Sequence, residues 1–289
     1  MRPPTEPLDP FSPAGYTVTS RAIGENVPVT SVRAVTTAAA TVAPDRRTLR
    51  SELILVLALS FATSAVYAVL SLVRAALAGP LNQQTSTVVG SQAANPWLDL
   101  VYQLVGVGRG LLPVLLVAHL LLRGGESLGL LGLDRTRPRF DLSRGAALAA
   151  LVGGTGLALY LSARALGLNT TVAVTTLAPS WWRDPVLALG AFQNALAEEV
   201  VVLGYVMRRL QQLGWSWGRA TAFSSLLRGS YHLYQGIGGF VGNAVMGLLF
   251  CVLLRRWGRI GPFVAAHTLI DVVAFVGYAE LHGRVGWLP

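Results

Sequence analysis

The chain has 289 residues, of which 53% are hydrophobic and only 13% charged, and its mean hydropathy is +0.53. A soluble domain carries roughly 25% charged residues, so this composition excludes a soluble enzyme and a disordered polymer and selects a polytopic membrane protein. The net charge of +9 is carried by arginine alone, since lysine is absent; the arginines sit in short clusters between apolar runs, which reads as membrane topology and not as nucleic-acid binding.

Residues 1–50 read as a disordered cytosolic tail, because the prolines and small polar residues of its opening stretch bury too little apolar area to offset the entropy of ordering. From residue 51 to 289 the chain reads as one transmembrane helical domain. A span needs about 20 mostly apolar residues, and candidates lie at 53–73, 97–122, 145–163, 185–207 and 260–279, with 220–254 folding back at 235–239 to give two more. The fold class expected is therefore all-α, a polytopic bundle of about seven spans. Thirty-five residues are tight for two passes, so one of that pair is expected to be short, tilted or begun near Trp215.

Arginine placement orients the bundle. With the tail inside, one set of connections holds Arg46, Arg47, Arg50, Arg123, Arg135, Arg137, Arg139, Arg144, Arg208, Arg209, Arg219, Arg255, Arg256 and Arg259, and the other Arg164, Arg183 and Arg284. That bias predicts a cytosolic N-terminus. The lysine-free, Ala-, Gly- and Arg-rich composition fits a GC-rich bacterial genome and hence a bacterial plasma membrane.

In a bilayer an ionisable side chain at mid-span is expensive, and so marks function by default. Those inside the spans are Glu198, Glu199, Arg228, His232, His267 and Asp271, with Arg109 and His119 on the second span. Adjacent carboxylates in a low dielectric cannot both ionise freely, which suits a pair to acid–base work on water. The alternative is polar glue between helices. His267 and Asp271, four residues apart, share one helix face, a spacing for two metal ligands or for a histidine with an orienting carboxylate. Arg228 stands one turn before His232. Counted at ~1.5 Å per residue from the nearest clustered arginine, Glu198, His267 and His232 lie about 15, 12 and 20 Å deep, which predicts one shared cavity open to the cytosol. His119, beside Arg123, and His282 receive no role.

These residues resemble the CPBP intramembrane protease family, the CAAX prenyl protease and bacteriocin-processing group. The family pattern is Glu-Glu followed by x-x-x-Arg, then F-x-x-x-H, then H-x-x-x-N or H-x-x-x-D; here the matching residues are Glu198-Glu199, His232, and His267 with Asp271, within a protease-like core at 185–280. Two positions depart from it: Leu203 stands where the family has arginine, and Arg228 where it has phenylalanine. An arginine lost from one helix and gained on a facing one would restore a charge partner for Glu199. The resemblance implies an intramembrane endopeptidase acting on peptide or membrane-anchored protein substrates. In it Glu198 activates water, helped by Glu199 and His232, while His267 and Asp271 stabilise the oxyanion. It equally implies a zinc site of Glu198, His232, His267 and Asp271 with an open position for water. Two other classes stay open: a proton-coupled transporter using Glu and His as a relay, and a catalytically inactive membrane partner of the same family, for which Leu203 speaks.

Overall fold

The computed structural model describes residues 45–285. Residues 1–44 of the expected tail lie outside them, and the helical part begins at Arg46, a few residues before the expected boundary. Helix α1 (Arg46–Ala58) is capped by the Asp45 carboxylate, which accepts from the Thr48 backbone N–H at 2.7 Å. It breaks at Leu59 and Ser60 and resumes as α2 (Phe61–Ala78). Ser60 and Thr63 hydroxyls donate to the Val56 and Ala58 carbonyls that the break frees.

Then follow strand β1 (Thr85–Val89), α3 (Pro96–Arg123), α4 (Pro138–Ala165) and strand β2 (Thr171–Thr175). After them a long helix is built from α5 (Arg183–Glu198), a π-helical stretch Glu199–Tyr205 and α6 (Val206–Gln212). The chain ends in α7 (Trp217–Ser230), α8 (Ile237–Trp257) and α9 (Gly261–Leu281). The protein is a helical membrane bundle. Among the described residues six helices, counting Arg183–Gln212 as one, are long and apolar enough to cross a membrane. That fits the expected bundle of about seven passes, one of them short. The short one is α7: its 14 residues extend about 21 Å at 1.5 Å each, less than the ~30 Å hydrocarbon core, and it starts at Trp217, close to the start anticipated.

Beside the helices stands one feature the sequence did not announce, a two-stranded parallel sheet. β1 and β2 pair in the register Thr85 with Thr171 through Val89 with Thr175, joining the two arginine-poor connections. Asn169 bridges to Gly236 in the turn between α7 and α8. Gly236 has φ of +113°, and a Cβ there would stand 2.5 Å from the Leu168 carbonyl oxygen, so only glycine fits. The sheet therefore fixes the turn that carries His232.

Helices cross closely where side chains are smallest, as membrane packing requires. A Cβ on Gly145 would sit 2.6 Å from that of Ala265, which sets α4 against α9. One on Gly247 would meet the Arg228 Cδ at 3.2 Å, so α8 leaves room for that arginine on α7. The main core, including Val117, Leu121, Val201, Met207, Phe250, Cys251 and Phe263, lies toward the arginine-rich end.

Two ionic clasps close that end. Glu126 accepts from Arg208 at 2.5 Å and from Arg209 at 3.2 Å; burial pushes its carboxyl up, but the two guanidiniums more than reverse this and hold it below its ordinary range. Arg259, at the foot of α9, donates to Asp141 at 2.7 Å and to Asp134 at 3.0 Å. Hydrogen bonds from the Thr136 hydroxyl and backbone N–H, with help from Arg259, bring the Asp134 carboxyl down to about 2. Since its folded value is depressed, its contribution to stability is complete above the unfolded value of about 4 and disappears as pH falls through about 2. Asp134→Asn is expected to lower the melting temperature in detergent at neutral pH, and the deficit should shrink as the pH is taken down toward 2.

Candidate active site

Glu198 and Glu199 sit at the junction where α5 passes into the π turn. Successive residues of a helix point about 100° apart, so tandem carboxylates face different surroundings. Glu198 lines a cavity, while Glu199 is wholly buried among α7 and α9 side chains. The π turn loosens the backbone ladder locally, and the Ser224 hydroxyl of α7 donates to the Val202 carbonyl at 3.0 Å.

Glu199 is the hub. Arg228 of α7 donates to both its oxygens, at 2.8 and 2.9 Å, in a two-pronged pair. His267 of α9 donates its Nδ1–H to Glu199 Oε1 at 2.8 Å. The same Arg228 Nη1 lies 3.4 Å from Glu198 Oε2, so one guanidinium serves both carboxylates. The arginine at the phenylalanine position and the tandem glutamates thus meet, and Leu203 is buried in the core. His267 Nε2 is 3.5 Å from Asp271 Oδ2, and that same oxygen accepts from the Asn194 amide at 2.9 Å. His232 donates Nδ1–H to the Arg228 carbonyl at 2.9 Å, which leaves its Nε2 as an acceptor.

All six sequence-selected residues thus form one connected cluster in the bundle interior. They divide, however, into two shells about the cavity, which has a volume of about 870 Å³. Glu198 and His232 line it; Glu199, Arg228, His267 and Asp271 stand behind. Two residues that sequence reasoning missed join the lining. The Tyr231 hydroxyl donates to Glu198 Oε2 at 2.7 Å, and Asn194, one turn before Glu198 on the same face, holds Asp271. Adjacency to His232 and the i,i+4 offset from Glu198 are the signals that could have found them. His119 and His282 do not line the cavity.

The cavity's placement corrects an expectation. An opening toward the arginine-rich, cytosolic end was expected, but the lining runs from Glu198 toward the β1 end, through Ser64, Tyr67, Gln103, Val89 and Gly90. The physical reason lies in the packing. The arginine-rich end is filled by the main core and its ionic clasps. Nearer β1, α2 leans on α7 and the turn after it while α3 leans on α5, and the cavity occupies the space between.

Among the described residues no three His, Cys, Asp or Glu side chains are placed to hold an ion together. His267 and Asp271 are turned to Glu199 and Asn194, and the Arg228 cation sits where a dication would need the same carboxylates. As arranged, these residues do not fit the four-ligand zinc site.

Residues 180–273, about a third of the chain, match the family model described as Type II CAAX prenyl endopeptidase Rce1-like. The segment takes in every residue of the cluster, and the match supports the resemblance to the CPBP/CAAX protease family, while the long apolar helices mark an integral, multi-pass membrane protein. Neither the curated proteins nor the solved structures contain a match to it.

The Tyr231 hydroxyl gives a direct test of the lining. Tyr231→Phe keeps the ring contacts to Phe61 and His232, at 4.8 and 4.7 Å between centroids. It deletes one hydrogen bond to a carboxylate, a loss of about tenfold or more if that bond holds Glu198 in its working orientation. The expected result is a fall in kcat with little change in KM and an unaltered melting temperature, measured on one substrate in detergent.

Proposed function

We propose that the chain is an intramembrane endopeptidase that hydrolyses a peptide bond with water activated by Glu198. The observation that carries this reading is that Glu198, Tyr231 and His232 share the wall of one cavity at mid-bundle, backed by a buried lattice of Glu199, Arg228 and His267. Tyr231 occupies Oε2 of Glu198, so Oε1 is free to receive the water proton, and the open Nε2 of His232 accepts the water's other hydrogen and aims its lone pair. Water attacks the carbonyl carbon, Glu198 takes the proton, and the same carboxylic acid returns it to the leaving amine as the C–N bond breaks.

The oxyanion needs donors on the cavity wall. The resemblance assigns that task to His267 and Asp271. Asn194 is better placed, since one of its two amide hydrogens goes to Asp271 and the other remains for the substrate. His267 and Asp271 then act as positioning residues through Glu199 and Asn194. No step passes through a metal. Incubation with a strong chelator is therefore expected to leave turnover intact in proteoliposomes, and loss of activity restored by added zinc would overturn this part.

The flank between α2 and α3 favours substrates that arrive from the bilayer, namely a membrane-anchored protein or a peptide held by its lipid or apolar segment. With the N-terminus on the cytosolic side, as the arginine bias proposes, the cavity lies in the half of the membrane away from that terminus. The decisive experiment is cleavage of lipid-anchored fluorogenic peptides by the reconstituted full chain, with products located by mass spectrometry. No cleavage by folded protein across a broad peptide library would sink the proposal.

A further inference from the structure

Arg109 is an ionisable residue of the spans that the mechanism leaves unused. It stands 14 residues from Arg123 and 13 from Pro96, near the middle of α3, which is 28 residues long. At ~1.5 Å per residue that is about 20 Å from either end, too deep for a side chain that snorkels to reach the headgroups. Yet it is exposed, and it lines the same cavity as Glu198. Among the described residues it makes no hydrogen bond or ion pair, whereas Arg183, Arg208, Arg209, Arg228 and Arg259 all do. A cation left unpaired at that depth is costly, so its counter-charge is to be sought in what enters the cavity.

Its position relative to the reacting centre follows from α3 meeting α5 at the neighbouring residue. A Cβ on Gly110 would lie 2.4 Å from the Gln193 side chain, so Arg109 stands near the level of Gln193. Gln193 precedes Glu198 by five residues, about 7.5 Å along the helix toward β1. An extended peptide advances about 3.3 Å per residue, so Arg109 faces a group only a few residues from the bond at Glu198. We infer that Arg109 is a specificity determinant that receives a carboxylate of the substrate peptide, lying a few residues from the scissile bond on the β1 side. A guanidinium grips a carboxylate with two parallel hydrogen bonds, and in a site shielded from bulk water this discriminates strongly against a neutral group. The carboxylate has two sources, a free C-terminus or an Asp or Glu side chain. The inference rests on the endopeptidase reading.

The test uses the full chain in phosphatidylcholine vesicles with palmitoylated fluorogenic peptides, made as C-terminal acids or amides and with Asp or Asn near the cleaved bond. Wild type is expected to favour one carboxylate-bearing form over its neutral partner about tenfold, mainly through KM. The acid–amide and Asp–Asn comparisons say which carboxylate it is. Arg109→Gln should bring that ratio to about one, and Arg109→Lys should restore part of it. Equal cleavage of all forms by wild type overturns the inference and leaves the endopeptidase reading standing, as does an Arg109→Gln enzyme that keeps the preference. Equal cleavage with turnover that tracks added phosphatidylglycerol assigns Arg109 to lipid phosphate, and also overturns it. Absence of cleavage of any peptide by wild type removes both.

Discussion

Glu198→Gln is expected to abolish peptide hydrolysis while leaving the protein folded. A positioned general base contributes about 10²–10⁴ in rate, and Glu198 is given a second task as the acid that protonates the leaving amine, so a loss of at least about 10³ is expected. The structural cost should be small, for reasons of charge. The cluster sets the Arg228 cation against two carboxylates; neutralising Glu198 leaves the two-pronged Arg228–Glu199 pair complete. A glutamine oxygen can still accept from the Tyr231 hydroxyl. Turnover of a lipid-anchored peptide and a thermal melt of the same preparation read the two effects separately. Activity within tenfold of wild type, in protein with a normal melt, would remove Glu198 from the chemistry. Unfolding would instead mean that the carboxylate is part of the bundle's polar glue.

The bundle was legible because bilayer physics writes itself into composition. Runs of apolar residues bounded by arginines located every long helix, although the run at 53–73 straddles the α1–α2 break and α4 begins seven residues before its run, and the crowded 220–254 region held the short α7. The connected cluster was legible for a related reason. Ionisable residues are so rare in a span that Glu198, Glu199, Arg228, His232, His267 and Asp271 were nearly the whole list of candidates. What could not be read was direction. Hydrophobicity tells a residue's depth but not which neighbour a rotamer meets, so the split between cavity-lining Glu198 and wholly buried Glu199 depends on a π turn that has no simple sequence mark. Tyr231 and Asn194 carry no charge and so raised no flag. The sheet of β1 and β2 carries little sequence mark because its strands, TSTVV and TVAVT, lie in polar connections without a sustained apolar–polar alternation. The cavity was misplaced for a similar reason: arginine counts orient the chain but say nothing of which end the core fills.

Arg228→Met is expected to be among the most destabilising single changes in the protein, and the reason it fails separates structure from catalysis. The guanidinium is 1% exposed and holds a carboxylate that is 0% exposed, so its removal strands Glu199 in a low dielectric with only His267 for company. Breaking a buried pair from one side costs about 3–5 kcal/mol, whereas replacing both partners by apolar groups is often neutral. Methionine matches the stem that passes Gly247 and gives up only the guanidinium's place over the Phe250 ring, so little of the loss can be ascribed to packing of the stem. Glu199→Gln alone should cost less, because Arg228 keeps Glu198 at 3.4 Å and His267 keeps an oxygen to bond. If the pair is the compensation for leucine at position 203, then Arg228→Met with Glu199→Gln should regain much of the stability lost by Arg228→Met, a coupling of roughly 2–3 kcal/mol in chemical denaturation. Additive penalties would mean that the contact contributes nothing specific. Activity follows a different rule. The double variant has neither the guanidinium beside Glu198 nor the carboxylate that orients His267, so its turnover should stay low even where its melt is restored. Recovery of both together would place the whole lattice in folding and leave hydrolysis to the residues on the cavity wall.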